Sequence, residues 1–245
     1  MTHSASSVAT VSAITLLLPL AASAQSDYTG FNAGIYTSLG MPSAELSRVD
    51  PDFFPRTGTL DGSIVSGGVF LGYDYAVGGW IVGSRLSTSL TQTKATDGSL
   101  DGSSWCSALA CNPSDDISED FELTMDNRIA IIARAGQVIS NGAFVYGLAG
   151  VTWADATIEA PDAVINDDFD PNLGAQLSFE EQHTGYVVGL GYEQKLSQSY
   201  FIFGEVAYTN FGEEEYVRSD SPTGLAFGDI DLSEFSVNLG LGIRF

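Results

Sequence analysis

Positive charge is scarce in this chain. Among 245 residues there are 9 Lys and Arg against 31 Asp and Glu, a formal net charge of -22. That balance excludes a protein that holds nucleic acid by neutralising phosphates. Charge of either sign is also thin: 16% of residues are charged, below the roughly 25% of an ordinary soluble domain. No apolar run of about 18 residues occurs after the N-terminal stretch, which excludes a membrane protein that crosses with helices. Cys106 and Cys111 are the only cysteines, and His183 is the only histidine besides His3. A structural zinc site, which wants four ligands in compact spacing, therefore lacks material. What is abundant is 27 Gly and 11% aromatics, a composition neither disordered nor collagen-like.

The stretch Ala13 to Ala22, AITLLLPLAA, is too short to span a bilayer as a helix. It ends in Ala22-Ser23-Ala24 before Gln25, the small-x-small pattern of a signal-peptidase site. Residues 1 to 24 therefore read as a secretory signal, although the leading MTHSASSVAT carries no Lys or Arg. Residues 25 to 245 read as one domain holding all of the -22. Export places Cys106 and Cys111 in an oxidising compartment, where they are expected to pair as a local disulfide clip.

Along the rest of the chain one period recurs, and it is two. Phe235, Val237, Leu239, Leu241, Ile243 and Phe245 alternate with Ser236, Asn238, Gly240, Gly242 and Arg244. Tyr186 to Glu193 and Val65 to Asp74 alternate in the same way. The pattern predicts eight strands, at about 30–39, 63–74, 80–91, 121–135, 142–154, 183–196, 200–210 and 234–245. Connections at 75–79, 136–141 and 197–199 are short; those at 40–62, 92–120, 155–182 and 211–233 are long. Structureless loops of that length count against a compact soluble domain. Short turns on one side and long loops on the other are the layout of an outer-membrane barrel.

The second face of each strand separates two all-β architectures. A soluble eight-stranded barrel keeps its apolar set inside and needs a charged exterior. Here the second face is mostly Gly, Ser, Asn and Ala with isolated charges, which suits a narrow lumen, while Phe, Val, Leu, Ile and Tyr suit lipid. The expected fold is all-β: an eight-stranded antiparallel up-and-down transmembrane barrel with short periplasmic turns and long extracellular loops, closed so that every backbone group is satisfied.

A family resemblance rests on particular stretches. RIAIIARAGQVISNGAFVYGLAGVTWAD (Arg128 to Asp155) resembles the strand-turn-strand hairpin of the small outer-membrane β-barrel family, the OmpA/OmpX-like or porin-family barrels. GGVFLGYDYAVGGWIVG (Gly67 to Gly83) and FGEVAYTNFG (Phe203 to Gly212) resemble further strands of that family. The terminal Phe245 after an alternating strand resembles the signature by which such barrels are recognised for insertion. The resemblance implies a Gram-negative outer-membrane location and contact with outer-membrane lipid and lipopolysaccharide. It also implies handling by the barrel-insertion machinery through the C-terminal strand. The peptidoglycan binding of longer OmpA-like proteins is not carried over. Where relatives often place a second arginine two residues before Arg134, this chain has Ile132.

By parity the lumen should receive Arg85, Arg128, Arg134 and Arg244 together with Asp74, Glu122, Asp126, Glu193 and Glu205. A barrel of eight strands is just wide enough for side chains to fill, so these charges are expected to pair as a plugging network. The alternative is a gate that rearranges to pass ions or small solutes. Aromatics near strand ends, such as Phe31, Tyr73, Tyr75, Trp80, Trp153, Tyr186, Tyr200 and Tyr208, are expected to form interfacial girdles.

Acid collects in the long connections: 24 of the 31 Asp and Glu lie there, against Arg48, Arg56, Lys94 and Arg218. The expected consequence is a solvated, repulsive surface. A sharper reading is divalent-cation binding at Asp162, Asp167, Asp168 and Asp170, or at Glu213, Glu214 and Glu215, although no spacing matches an EF-hand. Lipid A-modifying or proteolytic chemistry would need a nucleophile and base near the outer rim. His183 with Glu181 is the one candidate. Position 185 is Gly185, so no His-x-Ser pairing exists, and a lone rim histidine is expected at the surface. The expected function is structural or interaction-based, without cofactor or enzymatic activity; a narrow pore is the alternative.

Overall fold

The computed structural model describes residues 28–48, 56–91, 93–95, 122–160, 177–217 and 226–245. Residues 1–24, Cys106, Cys111 and the Asp162–Asp170 cluster lie outside them. Ten antiparallel strands form one sheet: β1 (Gly30–Arg48), β2 (Arg56–Asp61), β3 (Ile64–Val77), β4 (Trp80–Ser89), β5 (Thr93–Ala95), β6 (Glu122–Val138), β7 (Phe144–Ala160), β8 (Leu177–Lys195), β9 (Tyr200–Val217) and β10 (Ala226–Arg244). Eight of them make the wall, in the order β1-β3-β4-β6-β7-β8-β9-β10, and β10 returns to pair with β1 from Asn32↔Arg244 to Ser47↔Asp229. That last pairing closes the barrel, so each of these eight strands pairs with a neighbour on both sides.

The two short strands extend the wall. β2 pairs with β1 in the same register as β3, so β2 and β3 are one strand interrupted at Gly62 and Ser63. The interruption faces Pro42, whose carbonyl accepts from Gly62 at 3.2 Å but which has no N–H to return. β5 pairs with β6 beyond the end of β4. Between them the register slips by one at a bulge where Asn127 has φ 48°. A second slip, between β9 and β10, sits at Gly212 with φ 79°.

The eight expected strands are all present, and several run further than their alternation indicated. β1 continues to Arg48, β7 to Ala160 and β9 to Val217, while β8 starts at Leu177 and β10 at Ala226. The expected long connections are therefore partly strand. Away from lipid the outward positions need not be apolar, so the ladder persists while its hydrophobic period fades.

Inward and outward residues alternate through the wall. The outer face exposes Phe31, Ile35, Leu39, Val65, Leu71, Leu86, Ile131, Leu190, Val206, Leu239 and Leu241. A water-soluble monomer does not carry an apolar surface on that scale. Aromatic side chains mark both borders of the belt. At the turn end Phe31 meets Tyr73 edge-on at 4.9 Å, in company with exposed Tyr75, Trp80, Tyr192 and Tyr200. At the loop end stand Tyr186, Tyr208 and Phe235, the last two directly paired. No helix among the described residues is long and apolar enough to cross a membrane; crossing here is by strands.

Candidate functional site

The lumen is filled in layers, beginning at the turn end with a floor of Tyr28, Ile81, Val138 and Phe144, all buried. Phe144 stacks on Tyr146 at 4.7 Å, and the Tyr28 hydroxyl donates to the carbonyl of Gly142 in the β6–β7 turn at 2.6 Å. This floor ties the segment before β1 to the opposite wall.

Above the floor lies a four-charge cluster. Asp74 on β3 is fully buried and accepts from Arg134 Nε at 2.8 Å, from Arg134 Nη2, from Arg244 Nη2 at 2.7 Å and from Asn32 Nδ2 at 2.8 Å. Glu193 on β8, also fully buried, pairs with Arg134 Nη1 at 3.2 Å and with Arg244 Nη2 at 3.0 Å. Two cations and two anions cancel, which is what makes their removal from water tolerable. Aromatic faces complete the solvation: Arg134 lies over Phe144 and Tyr146, Arg244 over Tyr28 and Phe201. The wall must stay thin beside Asp74. A Cβ at Gly83 would come within 2.0 Å of its Oδ1.

A second pair sits one level up. Arg85 Nη1 donates to Glu205 Oε1 at 2.6 Å, and the Tyr146 hydroxyl donates to the same oxygen at 2.6 Å. The Arg85 guanidinium is held between the rings of Phe70 and Phe203 at 4.7 and 4.6 Å. A third pair, Arg128 Nη1 to Glu234 Oε1 at 2.9 Å, lies toward the loop end, with Arg128 over Phe211. Between the second and third pairs is a cavity of about 70 Å³ lined by Ser38, Ser66, Ser87, Thr152, Thr209 and Ser236 among others.

Of the nine charges assigned by parity to the lumen, seven enter these pairs: Asp74, Arg85, Arg128, Arg134, Glu193, Glu205 and Arg244. Asp126 is half-buried beside the Asn127 bulge, opposite Asp155, on the loop side of Arg128. Glu122 begins β6 opposite Glu159, and its side chain lies outside the described residues. Reasoning from sequence missed Glu234, which shares the parity of Ser236 and Arg244. It also missed Asn32 and Tyr146, polar groups on inward positions that carry no charge to flag them.

Two expectations need correction. His183 was expected at the surface, but it is fully buried. It has the parity of Val187 and Glu193, so its ring points inward rather than out at the rim. Glu213, Glu214 and Glu215 were read as a cation cluster. They are consecutive on β9, so neighbours project to opposite faces, and among the described residues no group of three acidic, His or Cys side chains could hold a metal. The register instead sets acids side by side across strands: Glu213 faces Asp231, which faces Glu45, and Glu215 faces Asp229. Such like-charge rows mark the outer wall beyond the aromatic border.

A closed antiparallel barrel with an apolar exterior, two aromatic borders and a charge-paired lumen defines an integral outer-membrane β-barrel. The family model described as outer membrane protein beta-barrel domain matches residues 10–245, and the chain belongs to that family. Among solved structures it is similar to the outer membrane protein OprG from Pseudomonas aeruginosa, with 12% identity, 89% of this chain and 96% of that one covered, and a TM-score of 0.51. It is also similar to the outer membrane protein AlkL in lipid bilayers, at 15% identity, 89% and 90% coverage and a TM-score of 0.51. Neisserial surface protein A aligns over 89% of this chain and 98% of its own at 12% identity and a TM-score of 0.48. No curated protein sequence matches. Family membership makes the chain an outer-membrane protein.

Proposed function

We propose that the protein is a structural barrel of the outer membrane with a shut lumen, supporting envelope integrity and presenting an acidic outer rim, without catalytic activity. The observation that carries this reading is the Asp74–Arg134–Glu193–Arg244 cluster on its aromatic floor. It spans the lumen with every charge paired and at most 7% of any of the four residues exposed. An ion crossing here would have to break pairs that are desolvated on all sides. In this reading the apolar belt seats against lipid and lipopolysaccharide, and the C-terminal strand ending at Phe245 engages the insertion machinery. Residues 1–24 serve as the export signal. Cells lacking the protein should admit detergents and bulky apolar dyes more readily while taking up small hydrophilic solutes normally. Lost uptake of small solutes behind an intact permeability barrier would instead assign the protein to transport.

A narrow pore is the second reading. It is favoured by the cavity on the loop side of Arg85 and Glu205, where Ser and Thr hydroxyls stand among apolar side chains such as Ile132, Leu148 and Val187.

A further inference from the structure

The lumen cavity exists because small inward residues share one level of the barrel, between layers filled by Phe and Arg side chains. Its two halves differ in chemistry. On β10, β1 and β3 the register sets Asn238, Ser38 and Ser66 side by side, and Ser236 adds a further hydroxyl. On β6 to β9 the facing wall is lined by Ala130, Ile132, Leu148, Val187 and Ala207. Ser38, Ser66 and Ser236 are buried from the outside, at 4%, 7% and 5% exposure. Their hydroxyls make no hydrogen bond to another described residue. Unlike the sealed Nε and Nη2 of Arg85, these oxygens keep accessible surface, and it faces the cavity.

Neither water nor a purely apolar filling suits both halves. A buried water needs about two to four polar partners, and beside Leu148 and Val187 it finds few. An apolar molecule would leave the serine hydroxyls buried and unbonded, which is unfavourable. The charges around the chamber cancel, Arg85 against Glu205 and Arg128 against Glu234, so an ion would enter unbalanced. We propose that the chamber binds a short-chain alcohol, its hydroxyl toward Ser38, Ser66 and Ser236 and its carbon chain against Ile132, Leu148 and Val187. Volume sets the length. The cavity measures about 70 Å³, roughly half of the ~150 Å³ that takes a benzene molecule, which leaves room for about three or four heavy atoms. The proposal goes beyond the shut-lumen reading, since the site lies above the lower charge cluster and does not depend on whether ions cross.

The test uses the folded full barrel in deuterated detergent micelles, with Leu and Val methyl signals followed by NMR while 1-propanol, urea or acetate is added. Saturable shifts at Leu148 and Val187 with 1-propanol, and nuclear Overhauser contacts from those methyls to its carbon chain, are expected. Outward Leu190 and Val206 should shift only linearly, and urea and acetate should leave Leu148 and Val187 unmoved. Ser66→Ala removes one hydroxyl without adding volume and should weaken 1-propanol binding about fivefold, with Ser38→Ala in its place if the first does not fold. Filling the chamber with Ala207→Leu, or with Ala130→Val if that variant does not fold, should abolish binding. Shifts that stay linear at Leu148 and Val187, or that survive in a folded filling variant, would overturn the proposal. Undiminished binding in the folded serine variant would also overturn it, in favour of a merely apolar void. Contacts to water alone at high 1-propanol would do the same in favour of a water cluster.

Discussion

Replacing Asp74 by Asn isolates the contribution of the lower charge cluster, because the side chain keeps its shape and loses its charge. In the native barrel Asp74 accepts four hydrogen bonds, three of them from guanidinium groups, at full burial. The substitution leaves Arg134 and Arg244 facing Glu193 alone, turning a neutral cluster into one with a net positive charge. Removing one partner of a buried ion pair costs about 3–5 kcal/mol, and Asn can still accept some of the bonds, so a loss near the lower end is expected. Equilibrium urea unfolding in lipid vesicles, read by tryptophan fluorescence and by heat-modifiable gel mobility, measures it directly. Adding Arg244→Met to Asp74→Asn restores neutrality, and the double variant should recover part of the loss, with a coupling of at least about 1 kcal/mol. A cost for Asp74→Asn below about 1 kcal/mol, or strictly additive effects in the double variant, would mean that water already screens the cluster. The reasoning about a dry, shut lumen would then fail.

Further outcomes follow from the same geometry. Tyr146→Phe removes the hydroxyl that donates to Glu205 at 2.6 Å and should cost about 1.5–3 kcal/mol in the same unfolding assay, as a hydrogen bond to a charged group. Gly83→Ala drives a methyl into the Asp74 carboxylate; folding yield should fall sharply, whereas an alanine at Gly147, which meets nothing within 4 Å, should fold normally. Leu190→Arg on the lipid face should destabilise by about 2–4 kcal/mol if it lies near the bilayer midplane, and an unchanged stability would contradict the assigned outer face. The facing acids Glu45, Asp231 and Glu213 repel across strands. Raising salt from low to physiological ionic strength should therefore slow hydrogen exchange of the loop-end amides of β1, β9 and β10 while leaving the turn end unchanged.

Strand number, the closed architecture and the sidedness of each strand were legible because lipid enforces an alternation that water does not. Val65 to Asp74 and Phe235 to Phe245 carry their inner and outer faces in plain view. The same parity places Arg85, Arg134 and Arg244 indoors, but it does not say which carboxylate each meets. Pairing depends on barrel tilt and register, which bring Arg85 on β4 to Glu205 on β9 and Arg128 on β6 to Glu234 on β10. Glu234 escaped notice because it stands at a strand end as read from sequence, whereas β10 continues back to Ala226. Those extensions were illegible for the converse reason: beyond the aromatic border both faces of a strand can be polar, so Glu213, Asp229 and Asp231 read as loop. His183 shows the limit of reading a residue type without its parity.

Single-channel recording of the folded barrel, residues 25–245, in a planar bilayer tests the shut lumen most directly. Folding is confirmed beforehand by gel mobility. The native protein should stay silent, and Asp74→Asn or Arg134→Ala, if folded, should open steps by breaking the cluster. Stable, reproducible conductance from the native protein would contradict the shut lumen and put the narrow-pore reading in its place.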